Sequence, residues 1–363
     1  MSIQITGVLQ KQAWIEMSMP PIEQVRPGVW SVPVSIRDNP VRYTLSYLIA
    51  NSVGDCIVVD PGFDSEEGWK QLLDGLALAG LSLDSVIGVV STHFHYDHLG
   101  MVRRLVEATG AWVGMHRVES DNLGERQNIT DALAHDHSWL TQCSVPAERV
   151  DALMLTEAVV ESTAQLARPT RLLEHDDLLP LPGRELRVLA TPGHTAGHIC
   201  IVDMESEVIL TGDHVLPRIS PNVGLGPNSG ARNALAEYLA SLDLMLEWNA
   251  FEVCPAHEYR FLGLATRATD LKQHHADRSQ EIIAVLSDMP GSSVWEIAER
   301  LSWSRGWASL DGMNLRNALS ETLAHVEHLT STGRLFREAR GDSEHAGWLV
   351  SPVKDFEESA IRS

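Results

Sequence analysis

From about Tyr43 onward, short apolar runs of strand length alternate with segments whose apolar residues recur every three and four positions. TLSYLIA, DCIVVD, VIGVVS and AWVGM read as strands. Over 66–79, Trp69, Leu72, Leu73, Leu76 and Ala77 fall on one helical face, and 101–108 repeats that spacing. Residues 117–168 carry no strand signal and predict a helical insertion, clearest in DALMLTEAVVESTAQLA. Strand signals return in ELRVLA, HICIVD, EVILTG and FEVCPA, with a helix predicted over 233–246. From about 271 the pattern is helical, over 276–287, 293–301 and 315–330, and closes on RLFREARGDSEHAGWLVS, a candidate two-stranded wing. The expectation is an α/β catalytic domain over 1–270, with its insertion at about 117–168, followed by a mainly helical, winged-helix-like domain over 271–363.

Composition narrows the classes. Hydrophobic residues make up 44% and charged residues 21% of 363, ordinary globular usage that excludes disordered and fibrous chains. With 28 Lys and Arg against 49 Asp and Glu, the net charge of −21 disfavours nucleic acid as a partner. The C-terminal part repeats this balance, with 10 Lys and Arg against 14 Asp and Glu from residue 271, and its third helix offers only Arg316 for a DNA contact. No run approaches about 20 uninterrupted apolar residues, and the N-terminus lacks a signal-peptide pattern, so no membrane partner and a cytoplasmic location are expected. Cys56, Cys143, Cys200 and Cys254 lie far apart, mostly within apolar runs, as buried reduced thiols do.

The 16 histidines change the picture. VIGVVST runs into His93, His95, Asp97 and His98, EVILTG into Asp213, and FEVCPA into His257, while His194 sits in the turn TPGHTAG. Strand ends at one sheet edge are where loops place chemistry on a rigid support. His93 and His95, two apart, point to one side of an extended segment, and a helix beginning near Leu99 would hold Asp97 and His98 in its first turn. Four metal-type residues in six positions point to a metal centre rather than to packing.

STHFHYDHLG with TPGHTAGH, TGDH and PAHE resembles the metallo-β-lactamase superfamily, over roughly residues 27–265. The resemblance implies an αββα sandwich with two divalent metal ions at one edge. Carried over by position, His93, His95 and His194 would bind the first ion, Asp97, His98 and His257 the second, and Asp213 both. It also matches Asp60 in IVVDPG to an aspartate that orients the ligands. Nitrogen and oxygen donors without thiolate suit Zn²⁺ first, with iron or manganese as alternatives.

That pair of metals implies a hydrolase of a small-molecule carbonyl substrate: a thioester, an ester or a lactone. An Asp at position 213 resembles the glyoxalase II, lactonase and phosphodiesterase branches rather than true zinc β-lactamases. GDHVLPRISPNVG, AEYLASL and the tail resemble a subgroup of which some members cleave single-stranded RNA, so an endoribonuclease is the alternative within enzymes. A regulatory or DNA-binding protein with structural metals is the alternative outside them. A homodimer is a family-level expectation. Tyr96, His214, Tyr259 and Arg260 are candidates to protonate or polarise a leaving group, and His198 is a support for the ligands. Leu153, Leu155, Val159 and Val160 of the insertion either shape an acyl channel or pack it in place. His135, His137, His274 and His275 read as solvated surface.

Overall fold

The strand-length runs assemble into two sheets. The structure, a computed structural model, describes residues 2–37, 39–125, 128–164, 166–339 and 346–350. The seven-stranded sheet has the order Glu23–Arg26, Val29–Ser35, Tyr43–Ala50, Cys56–Val59, Val86–Val90, Trp112–His116, Arg171–Leu173. Its first four strands are antiparallel, and from Cys56–Val59 onward neighbours run parallel. The six-stranded sheet runs Gln4–Ile5, Phe261–Leu262, Glu252–Pro255, Val208–Gly212, Ile199–Asp203, Leu186–Ala190.

Alternation along the strands sorts their side chains into two layers. Leu45, Tyr47, Ile49, Ile57, Val59 and Val90 pack between the sheets against Val188, Ile199, Ile201, Val208 and Leu210. The intervening Leu48, Cys56, Val58 and Val89 face the other way, onto Leu72 and Leu76 of the helix Glu66–Leu78 and Val102 and Leu105 of the helix Val102–Thr109. Each fully buried aliphatic side chain contributes about 1.5–3 kcal/mol, so a strand apolar on both faces is stable only where a layer covers each of them. This is the α/β sandwich expected.

The strand Val29–Ser35 escaped the pattern because Pro33 interrupts it. Its partner Glu23–Arg26 stops at the pair Glu23 and Ser31, so Pro33 stands on a locally open edge with no ladder hydrogen bond to lose. Of the expected insertion, Arg117–Glu125, Ile129–Gln142, Ala147–Leu153 and Glu157–Ala164 are helices. The turn carrying Asp97 and His98 begins earlier than the pattern indicated, as a short helix Tyr96–Leu99.

The chain divides into two compact units that interleave along the sequence. One comprises Met1–Ala132, Thr156–Val223 and Ala236–Gln273, and the other Leu133–Leu155, Gly224–Leu235 and the chain from His274. Leu153 and Leu155 thus belong to one unit and Val159 and Val160 to the other; Leu153 and Val160 are buried and Val159 is exposed. The long helix Leu264–Asp288 continues through the boundary expected at 270. In the second unit Val294–Ala298, capped reciprocally by Ser293 and Glu296, and Gly312–Ser331 precede an antiparallel hairpin of Leu335–Ala339 and Ala346–Val350. The tip of the expected wing lies outside the described residues.

Two surface expectations are corrected within this unit. Arg316 is buried, bonded to Asp136 and, at 2.7 Å, to the Leu153 carbonyl, and His275 is buried at 2% exposure. Arg316 faces inward from helix Gly312–Ser331, and His275, on helix Leu264–Asp288, meets His325 of the former helix at 3.1 Å. Among the described residues, no helix is long and apolar enough to cross a membrane, and all four cysteines are buried and unbridged.

Candidate metal centre

Strand Val86–Val90 ends into Ser91, Thr92 and His93; in the other sheet Val208–Gly212 ends into Asp213 and Glu252–Pro255 into His257. His194 hangs from the turn between Leu186–Ala190 and Ile199–Asp203, where Gly193 has φ +144° and any added Cβ would meet the Cβ of Tyr238 at 2.5 Å. All seven predicted residues meet there. The donor atoms of His93, His95, His194 and Asp213 lie within 4.8 Å of one another, as do those of Asp97, His98 and His257. Asp213 touches both sets, its oxygens 3.2 Å from His257 Nε2, 3.6 Å from His98 Nε2 and 3.7 Å from His194 Nε2.

Hydrogen bonds at the far side of each ring determine which nitrogen faces inward. His98 Nδ1 donates to Asp60 at 2.9 Å, His194 Nδ1 to the Asn222 carbonyl at 2.7 Å, and His257 Nδ1 to the Tyr43 carbonyl at 2.9 Å. Those oxygens can only accept, so each Nδ1 carries a proton and Nε2 is the nitrogen turned toward the centre. The Thr92 hydroxyl donates to Asp60 at 2.8 Å and therefore accepts from His93 Nδ1 at 3.0 Å, which gives His93 the same tautomer. Asp60 also accepts the Thr92 amide at 2.7 Å, and its backbone holds the left-handed φ of +49°.

The consequence is lone pair facing lone pair. His93 Nε2 and His194 Nε2 lie 2.9 and 3.1 Å from His95 Nδ1, and at most one of these three nitrogens can carry a proton. Tetrahedral zinc with nitrogen ligands at about 2.0–2.1 Å places neighbouring donors roughly 3.3 Å apart, close to these spacings. Buried His98 Nε2 has no hydrogen-bond partner of good geometry among the described residues. The donor set fits a cation.

Electrostatics divides the rings. Burial, reinforced by the other imidazoles, holds His93 well below its ordinary pKa and His95 down to about 3. Burial also disfavours the charged forms of His98 and His257, but there the carboxylates of Asp97 and Asp213 outweigh it, raising His98 well above its ordinary value and His257 to about 10. Asp213 is correspondingly held far down, burial being outweighed by His257 and His98.

The sequence model of the metallo-beta-lactamase superfamily matches residues 39–257. The chain belongs to this superfamily. It is 26% identical over 269 residues to the acyl-coenzyme A thioesterase MBLAC2 of Gallus gallus, covering 72% of this chain and 88% of that one, and covers 57% of the human protein of the same name. Among solved structures it resembles a beta-lactamase domain protein from Burkholderia ambifaria, at TM-score 0.76 and 25% identity over 96% of this chain and 98% of that one. It also resembles a metallo-beta-lactamase family protein from Thermus thermophilus, at TM-score 0.73 and 27% identity over 90% and 100% of the two chains. As a metallo-beta-lactamase superfamily member it is a metal-dependent hydrolase.

Around the superfamily's seven motif positions, His198 accepts the Asp213 amide on Nε2 at 3.2 Å and donates from Nδ1 to Thr191 at 2.9 Å, so both its nitrogens are engaged. His214 is fully buried beside Tyr238, and burial lowers it to about 3. Tyr259 is buried, its hydroxyl pushed up by that burial and by Glu258. Tyr96 is half-exposed against Phe63, and Arg260 is held by Glu252 and Glu23. His135 and His137 are exposed.

One contributor had no signal in the sequence. Buried Glu119 accepts the Phe94 amide at 2.9 Å and the Gly197 amide at 2.6 Å, joining the loop of His93 and His95 to the turn of His194. A single acid after a strand, 25 positions from one partner and 78 from the other, shows no pattern until the chain folds.

Proposed function

We propose that this chain is a dinuclear hydrolase of acyl thioesters. The position of Asp213, in reach of His98, His257 and His194 at once, carries the two-ion reading, since one shared carboxylate between two donor sets is what a metal pair requires. His93, His95 and His194 would hold one ion, Asp97, His98 and His257 the other, and Asp213 both, with Zn²⁺ the first choice for donors of this type and iron or manganese next. Two such ions, when bound, supply Lewis-acid polarisation of a carbonyl and a hydroxide available near neutral pH.

The chain's own part is to keep that site rigid and its lone pairs inward. Asp60 holds His98 and, through Thr92, His93; the Asn222 and Tyr43 carbonyls do the same for His194 and His257. Tyr259 is the group proposed to serve the departing thiolate with a proton, and His214, held neutral by its burial, the one proposed to polarise it. The name carried by the Gallus gallus relative supports a thioester ahead of an ester or lactone. The helix, helix and hairpin order of the C-terminal part supports its winged-helix-like reading, and burial of Arg316 speaks against a DNA-reading role for it.

Metal analysis of purified protein by mass spectrometry, paired with hydrolysis of a thioester, ester, lactone, β-lactam and phosphodiester panel before and after chelation, tests this. Two ions per chain and a chelator-sensitive thioesterase activity are expected. Cleavage confined to the phosphodiester, or protein that neither contains nor takes up metal, would overturn it.

A further inference from the structure

The second unit contains a cavity of about 440 Å³ that the hydrolytic chemistry above does not use. Every residue lining it belongs to that unit. One wall is the loop over 226–232, GPNSGAR, where Gly226 donates its amide to the Ser229 hydroxyl at 2.7 Å and Gly230 turns the chain at φ +58°. The loop is therefore a tight, ordered turn whose small residues leave its backbone open to close approach. Two cations, Arg232 and Arg337, line the cavity against one carboxylate, Glu327. Arg337 forms no ion pair among the described residues, and its guanidinium lies 5.6 Å from the Trp348 ring centre. On a chain of net charge −21, two arginines beside a glycine-rich turn are a local exception.

The remaining lining is mixed, with Gln142 beside apolar groups. Leu225, Leu323 and the Trp139 ring contribute to it. Trp139 cannot swing away, because its indole N–H donates to the Leu225 carbonyl at 2.9 Å and the Arg316 guanidinium lies 5.0 Å from its ring centre. A free phosphate would leave most of this volume and all of this apolar surface unused, while a cavity of a few hundred Å³ suits a ligand of roughly nucleotide size. Arginine forks suit phosphate oxygens, and an immobilised indole suits a flat base.

We infer that this cavity binds a phosphorylated nucleoside, its phosphates on Arg232 and Arg337 and its base on the side of Trp139. The same chemistry comes from two sources, the adenosine 3′-phosphate diphosphate tail of a coenzyme A thioester or a free nucleotide. Only the first source rests on the thioesterase reading.

Calorimetric titration of the full-length metal-loaded protein with adenosine 3′,5′-bisphosphate tests the site without any turnover. Saturable binding is expected, weakened about tenfold by Arg337→Ala and by Arg232→Ala and abolished by the double variant, as loss of a charge-assisted contact requires. Circular dichroism establishes that the variants are folded; Arg337 is exposed on a hairpin strand, and its replacement gives up only the guanidinium contact with the Trp348 ring. Failure to bind at millimolar ligand overturns the proposal, as does equal affinity for inorganic pyrophosphate, which would make this a plain anion site. Preferential, salt-sensitive binding of a single-stranded RNA oligonucleotide over the mononucleotide would also overturn it. The source is then read from KM. With coenzyme A tails, Arg337→Ala raises KM for acyl-coenzyme A relative to KM for the matching N-acetylcysteamine thioester, which lacks the nucleotide; with a free nucleotide the ratio is unchanged. Binding without thioester hydrolysis would overturn the activity and keep the site, and hydrolysis without binding would do the reverse.

Discussion

Two groups of buried histidines in this chain are built by opposite rules. In the first unit, His93 and His194 turn lone pairs toward His95 because their outer nitrogens are engaged by Thr92 and by backbone oxygen, and Asp97 and Asp213 stand beside them. In the second unit, Ser279 donates to the His275 carbonyl at 2.8 Å and so accepts from His325 Nδ1 at 3.1 Å, which leaves His325 Nε2 to accept from His275 Nδ1 at 3.1 Å. There each proton meets a lone pair and the pair needs no ion. Clustering therefore does not make a metal site; the hydrogen bonds on the outer ring nitrogens do, together with carboxylates to balance charge.

The largest test of this contrast is Asp213→Ala. It should lower metal content below two ions per chain and reduce kcat/KM on a thioester by more than about a hundredfold, the upper effect of losing a mere supporting partner. Metal content by mass spectrometry and initial rates decide, and His325→Gln should leave the metal content at the wild-type level; loss of metal from that variant would break the comparison. Next comes Asp60→Asn, which keeps the shape but removes the charge that orients His98 and Thr92, and is expected to weaken metal affinity about 10–100-fold in a chelator competition. A variant binding metal as tightly as wild type would remove Asp60 from the account.

A smaller effect is expected of Glu119→Ala. It leaves the buried Phe94 and Gly197 amides without their carboxylate, at a cost of about 1–3 kcal/mol each, measurable by urea denaturation. The smallest is a pH effect on the second group. Burial first, and then the charges of His274, Arg278 and His328, hold His275 down at about 3 and, with His275 itself, His325 well below its ordinary value, while Glu321 and Glu281 pair with Arg278. Unfolded histidine takes its proton near about 6.5, so the unfolded chain binds more protons as pH falls from there, and stability present above that value is lost toward the folded values. Urea midpoints should fall between pH 7 and 5 in wild type and fall less steeply in His275→Asn with His325→Gln. Equal slopes would show that the pair carries no such linkage.

Much of the fold was legible where local patterning and tertiary burial agree. The runs TLSYLIA and VIGVVS became strands because both their faces are covered, and the insertion is helical as expected, although its clearest segment breaks between Leu153 and Glu157. Val29–Ser35 was hidden by Pro33, tolerated only because the neighbouring strand stops short of it, and Arg316 and His275 were misplaced to the surface because a polar residue's burial depends on partners far along the chain.

By itself the sequence determined the seven donors, since HFHYDH, the turn around His194, Asp213 and His257 place metal-type side chains at the ends of recognisable strands, and side-chain type with strand alternation is local information. Only the tertiary structure decided which ring nitrogen each histidine turns inward, that Asp213 lies between the two sets, and that Glu119 links their loops. Those are matters of acceptors supplied from 28 to 214 positions away, and such distances close only when the two sheets pack.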